Sequence, residues 1–168
     1  PGLSGAIATY DTVTGELSIQ DMPILIKLVG GAKKIKREIL NEEELIASFE
    51  LYKGLGVEGV VVERVQGLPR QSAPAAFNFG YGYGFLVACA RFQGFRLEQV
   101  EPSRWKMQMK VPSTSAGGKH KSSAVRQRAS EIIPTHKHLW TLQKHDGRAE
   151  AAMLAVFAER FLFKRGNR

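Results

Sequence analysis

The sequence is poor in cysteine, in acid relative to base, and in long apolar runs. Its one cysteine, Cys89, cannot close a disulfide within the chain, which favours a reducing compartment over a secreted one. No apolar run approaches the roughly 20 residues that a membrane helix needs. The basic start and short apolar stretch of a signal peptide are missing, and there is no internal repeat. What is present is ordinary globular composition. In 168 residues, 43% are hydrophobic and 24% charged, which excludes a mainly disordered or fibrous chain. That length suits one domain, residues 1–168, around one sizeable core. The 24 Lys and Arg against 16 Asp and Glu leave a formal charge of +8, which fits a polyanionic partner.

The chain opens Pro1-Gly2-Leu3-Ser4-Gly5, a tight turn without an initiator methionine. A chain that begins inside a turn is expected to follow a strand that leads into it; Pro1 as a processed terminus is the alternative. Ala6 to Tyr10 reads as a strand, Thr12-Val13-Thr14-Gly15 as a hairpin turn, and Leu17 to Gln20 as its partner. Lys33, Lys34, Lys36 and Arg37 form a basic cluster in the connection that follows. Asn41 caps a helix with Glu44 three residues on, and Gly54 and Gly56 close it. Val57 to Val65 is a valine-rich strand of the kind buried on both faces of a central sheet. A helical segment from Gln71 to Phe92 carries Gly80, Gly82 and Gly84, which point to close packing against another backbone or a partner molecule. Further elements are a strand over Phe95 to Val100, a helix over Ser122 to Ile133, and a last helix opened by Asp146. The order predicts a mixed α/β fold.

Positive charge is concentrated. Between Glu101 and Arg128 stand Arg104, Lys106, Lys110, Lys119, Lys121, Arg126 and Arg128 against one acid, most of the chain's excess. Such a concentration favours phosphate contact over a merely solvated face. Trp105 lies within it, placed either to stack on a base or to anchor the segment to the core. The tail Lys164, Arg165 and Arg168 is a weaker signal.

Three acids stand out. Glu63 ends the valine strand, where a carboxylate needs a partner or a metal. A salt bridge with Arg64 is the bland reading, but successive strand residues point to opposite faces. Asp146 and Glu150 project from one face of the last helix, four residues apart. Alone, Asp146 reads as an N-cap and Glu150 as a first-turn acid; His145 beside them reads as structural or as an added ligand or base. Three acids in a basic protein point to Mg²⁺ or Mn²⁺ facing a phosphodiester.

The ordered motifs resemble a RuvC-type Holliday junction resolvase of the ribonuclease H-like superfamily, in its phage or prophage form, over nearly the whole chain. Pro1-Gly2-Leu3-Ser4-Gly5-Ala6 is similar to the turn after the family's first catalytic aspartate, a residue expected immediately before Pro1. Val62-Glu63-Arg64 resembles the strand with the second acid. Glu101-Pro102 with Trp105-Lys106, and then Lys121-Ser122, resemble the segments bearing DNA-contacting lysines. Asp146 through Glu150-Ala151-Ala152 resembles the closing acidic helix. One departure is that Asp146 and Glu150 stand four apart where the family has two aspartates three apart, so Glu150 is the firmer match.

The resemblance implies a five-stranded mixed sheet flanked by helices, its first strand missing from this chain. It also implies a homodimer acting on four-way DNA in the cytoplasm of a bacterial or phage-infected cell, with no membrane association. Glu63, Asp146 and Glu150 would hold two Mg²⁺ ions, Mn²⁺ substituting, for hydrolysis by metal-bound water. Lys106, Lys119, Lys121, Arg104 and Arg126 would hold the DNA backbone. Phe77 or Phe79, after the acidic strand, is placed either near the junction centre or, as the favoured reading, in the core. The rivals are another ribonuclease H-like nuclease, cutting RNA–DNA hybrids or branched DNA, and a non-enzymatic basic nucleic-acid binder. A sugar-kinase or actin-like domain shares the opening turn but needs a much longer chain.

Overall fold

The computed structural model describes residues 2–31, 34–64, 71–112 and 121–163, without the side chains of 121–123. Lys33, Gln66 to Arg70, Lys119, the side chain of Lys121, and the tail with Lys164, Arg165 and Arg168 lie outside the described residues. The fold is mixed α/β, with strands β1 (Ala6–Tyr10), β2 (Leu17–Asp21), β3 (Ile24–Val29), β4 (Ile35–Leu40), β5 (Gly59–Glu63) and β6 (Arg96–Val100). The helices are α1 (Glu42–Gly54), α2 (Ala73–Phe92), α3 (Pro102–Gln108), α4 (Lys121–Ile132) and α5 (Asp146–Phe157). A 3₁₀ stretch spans Pro134–Trp140, and a π turn over Ala158–Leu162 continues α5.

Among the described residues the strands join in pairs, β1 with β2, β3 with β4 and β5 with β6, where one five-stranded sheet was expected. The first two ladders are antiparallel hairpins. The third is parallel: Arg96 N–H donates to the Glu58 carbonyl and Arg64 N–H to that of Val100, advancing together along both strands. The valine strand is half-buried except for Val62, not covered on both faces. Of the basic cluster, Lys36 and Arg37 lie in strand β4, where a plain connection was expected.

The backbone groups into two compact units. One comprises residues 1–3, 22–60 and 65–97. Its α1 starts as the sequence dictates: the Asn41 side chain accepts from Glu44 N–H, and Asn41 Nδ2 donates to the Glu44 carboxylate at 2.8 Å. Leu45 and Phe49 are buried there, Phe49 meeting Phe95 edge-on at 6.0 Å. On α2 a Ser72 cap is followed by aromatics at helical spacing: Phe77 stacks on Tyr81, which leans on Phe85. Phe77 is 72% exposed, so the core position expected for it is not where it lies; Phe79 is half-buried. Gly82 is buried, while Gly80 and Gly84 have open space where a Cβ would stand, so close packing within the described residues does not explain them.

The other unit comprises residues 4–21, 61–64 and 98–168. Its core joins Val100, Trp105, Met109, Val125, Ala129 and Trp140 to Ala149, Ala152, Met153, Val156 and Phe157 of α5. Alanine and methionine on one face let α5 lie close across β1 and β2. Trp140 satisfies its indole N–H on the Ser130 hydroxyl at 3.0 Å.

Candidate active site

Glu63 closes β5. It is only half-buried, and among the described residues it is held by neither Arg64 nor a lysine: Oε1 accepts from the indole Nε1 of Trp105 at 2.8 Å. Pleating sends Arg64 the other way, where it pairs with Glu101 at 3.5 Å. Pro102 at the first turn of α3 costs that helix nothing, since its missing N–H has no helical partner there. The helix delivers Trp105 inward, fully buried, which excludes the base-stacking role.

The next residue of the same helix serves a second acid. Lys106 Nζ lies 3.0 Å from Glu150 Oε1 and 5.1 Å from the centre of the Trp105 ring. Both side chains of this pair keep 36% exposure, so the ammonium is reachable from solvent. Adjacent residues of α3 therefore hold one carboxylate from a strand and another from α5, 87 positions apart in sequence. Sequence spacing carries no trace of this. The signal that could have found it was chemical: a tryptophan anchored in a core needs an acceptor for its N–H.

Asp146 lies inside the first turn of α5, with helical dihedral angles, while His145 occupies the capping position without a side-chain cap bond. The expected N-cap is thus a first-turn acid, where the helix dipole favours a carboxylate. Its Oδ1 touches Arg126 Nε of α4 at 2.7 Å as an ion pair lacking hydrogen-bond alignment. Arg126 also donates to the Thr141 carbonyl at 3.4 Å. Arg126 is therefore tied inside the protein, whereas Arg104 is exposed. His145 receives the Leu142 N–H at 3.4 Å; burial first, then the charges of Arg148 and Lys144, hold it below the ordinary imidazole range.

Two contacts missed by sequence reasoning set the start of α5. A Cβ on Gly147 would stand 2.6 Å from the Ser4 carbonyl oxygen and 2.9 Å from Gly5 Cα, so the opening turn rests on the helix backbone. Arg148 grips both oxygens of Asp21 and the Leu139 carbonyl. The guanidinium's hydrogen bond holds the Asp21 carboxyl below its usual range.

Among the described residues, no three of His, Cys, Asp and Glu gather as a cation-ligand group. Each of the three acids instead has a protein donor or cation against it. As arranged, these residues do not fit the expected pair of divalent ions, because they do not gather as one ligand group and one oxygen of each faces an indole, an ammonium or a guanidinium.

No protein-family model matches the chain, and no curated protein matches it in sequence. Several solved structures are similar to it, among them two of RuvC. The structure of Thermus thermophilus RuvC in complex with Holliday junction substrate is 16% identical, with 86% of this chain and 88% of that one covered at a TM-score of 0.49. A second Thermus thermophilus RuvC structure is 15% identical, with 92% and 95% covered at 0.45.

Proposed function

We propose that the protein is an endonuclease of branched DNA that resolves four-way junctions by hydrolysing phosphodiesters. The observation that supports this is the α3 arrangement: Trp105 and Lys106, consecutive in the most cationic segment of the chain, each hold one of the acids, Glu63 and Glu150. Trp105 orients Glu63. Lys106, a third exposed, is placed to exchange the Glu150 carboxylate for a phosphate oxygen of the DNA backbone. In this reading Arg104, Lys119 and Lys121 add backbone contacts, and Arg126 holds Asp146. The same reading carries a homodimer, and a divalent ion would need Glu63 and Glu150 to be released from Trp105 and Lys106.

Incubation of the full chain with a four-way junction, an RNA–DNA hybrid and plain duplex, with Mg²⁺ or with chelator, tests it. Junction cleavage that chelator stops, and that Glu63→Gln abolishes while binding persists, is the expected result. Cleavage of the hybrid alone reassigns the substrate. A second reading has its own support: with all three acids already paired and no cation group among the described residues, the chain would bind nucleic acid without cutting it. Binding without cleavage under every metal condition establishes that reading instead.

A further inference from the structure

The hairpin β3–β4 takes no part in the chemistry above, yet it is the most exposed ordered element of its unit. Every residue of β3 and the first four of β4 are exposed. Its two strands form a sheet of their own, with no third strand hydrogen-bonded to either among the described residues. A lone two-stranded ribbon is marginal in water and gains from a partner.

The register shows what kind of partner. Lys27 stands directly opposite Arg37, so two cations share one face at the closest cross-strand distance. Like charges so placed destabilise a hairpin unless an anion lies between them. Leu25 and Ile39 flank the pair on one side, Val29 and Ile35 on the other, and no described carboxylate makes an ion pair with either cation. Lys36 projects from the opposite face beside Leu28. Because charges interrupt both faces, neither offers the continuous apolar surface that a membrane requires. A second copy stacked on the Lys27 face would set cation against cation.

We infer that this hairpin is a DNA-binding ribbon, lying in the major groove of a duplex arm with Lys27 and Arg37 on its phosphates. A two-stranded ribbon has the width that the groove of B-form DNA admits, and the unbalanced charge has the sign the backbone requires. The choice of DNA over another polyanion rests on the nucleic-acid reading above; the ribbon itself is independent of cleavage.

The test measures binding of the full chain to a plain duplex across a range of salt concentrations, for wild type and for Lys27→Glu with Arg37→Glu. Loss of two phosphate contacts lowers affinity at least tenfold at low salt and flattens the log–log salt slope by about 2. In parallel, duplex protects the Lys27 amine of the wild-type protein from acetylation, read by mass spectrometry, which needs no variant to fold. Unchanged affinity and slope, or equal acetylation with and without duplex, overturns the inference. Protection by polyglutamate but not by duplex also overturns it, in favour of an acidic protein partner. Wild-type junction cleavage is scored separately. A protein that protects Lys27 but never cuts loses the nuclease assignment and keeps the ribbon, and a protein that cuts without protecting Lys27 does the reverse.

Discussion

Trp105 donates its indole N–H to Oε1 of Glu63 at 2.8 Å, and it does so from a fully buried position on a helix that starts only after β6 has ended. The bond joins the core to the acid proposed for the chemistry. Trp105→Phe keeps most of the apolar volume and removes the donor, leaving a half-buried carboxylate oxygen without its partner. The expected cost is about 1–3 kcal/mol by urea denaturation, with junction cleavage falling more steeply than junction binding. Glu63→Gln keeps an acceptor for the indole, so its stability stays within about 1 kcal/mol of wild type. A large destabilisation by Gln shows that the carboxylate's charge has a structural partner beyond Trp105.

Gly147 sets two local effects against each other. Replacing a helical glycine by alanine gains about 1 kcal/mol of helix propensity. Here the new methyl would meet the Ser4 carbonyl oxygen at 2.6 Å and Gly5 Cα at 2.9 Å, backbone atoms that cannot rotate aside. Overpacking of this kind costs about 1–3 kcal/mol, so Gly147→Ala is expected to be net destabilising. A thermal melt that rises in the variant shows that the opening turn yields freely.

Lys106 and Glu150 are each about a third exposed, which bounds what their pairing contributes. A double-mutant cycle of Lys106→Gln and Glu150→Gln should give a coupling of about 0.2–1 kcal/mol at low salt, shrinking as salt is added. The single Lys106→Gln change should weaken DNA binding far more than it weakens folding. Equal losses in both assays place Lys106 in the fold rather than on the DNA.

The Asp21–Arg148 contact predicts a pH dependence of definite sign. Asp21 has its carboxyl lowered in the folded protein, first by the hydrogen bond from Arg148. Its contribution is therefore present above the unfolded-state value of about 3.9 and is lost as pH falls through the lower folded value. Asp21 is more than half exposed, so Asp21→Asn should cost no more than about 1 kcal/mol at pH 7. The difference from wild type should close in acid. Denaturation curves at neutral and acid pH that stay equally far apart disprove the assignment.

What the sequence made legible was whatever rests on local chemistry. Asn41 with Glu44 announces the start of α1, Thr12 to Gly15 the turn between β1 and β2, and Asp146 the opening of α5. The hairpin β3–β4 escaped because period-two reading assumes one wet face and one dry face, and Ile24, Leu25, Ile26, Leu28 and Val29 are all exposed. Helix α3 escaped because Pro102 reads as a stop when in fact it occupies the first turn. Of the site, the three acids could be singled out as misplaced charges, but their partners could not. Trp105 with Glu63, Arg126 with Asp146, and Lys106 with Glu150 are pairings between distant segments, set by packing that no spacing encodes. The ion-pair partners also changed the chemistry, since acids expected to face metal ions face protein cations or an indole.

A ribbon that among the described residues has no further strand on either edge, and aliphatic side chains on both surfaces, is an invitation to polymerise. Lys27 and Arg37, by repelling their counterparts on an approaching copy, act as gatekeepers against fibrous self-association. Neutralising them with alanine should therefore make the protein precipitate at concentrations where the glutamate pair stays dissolved.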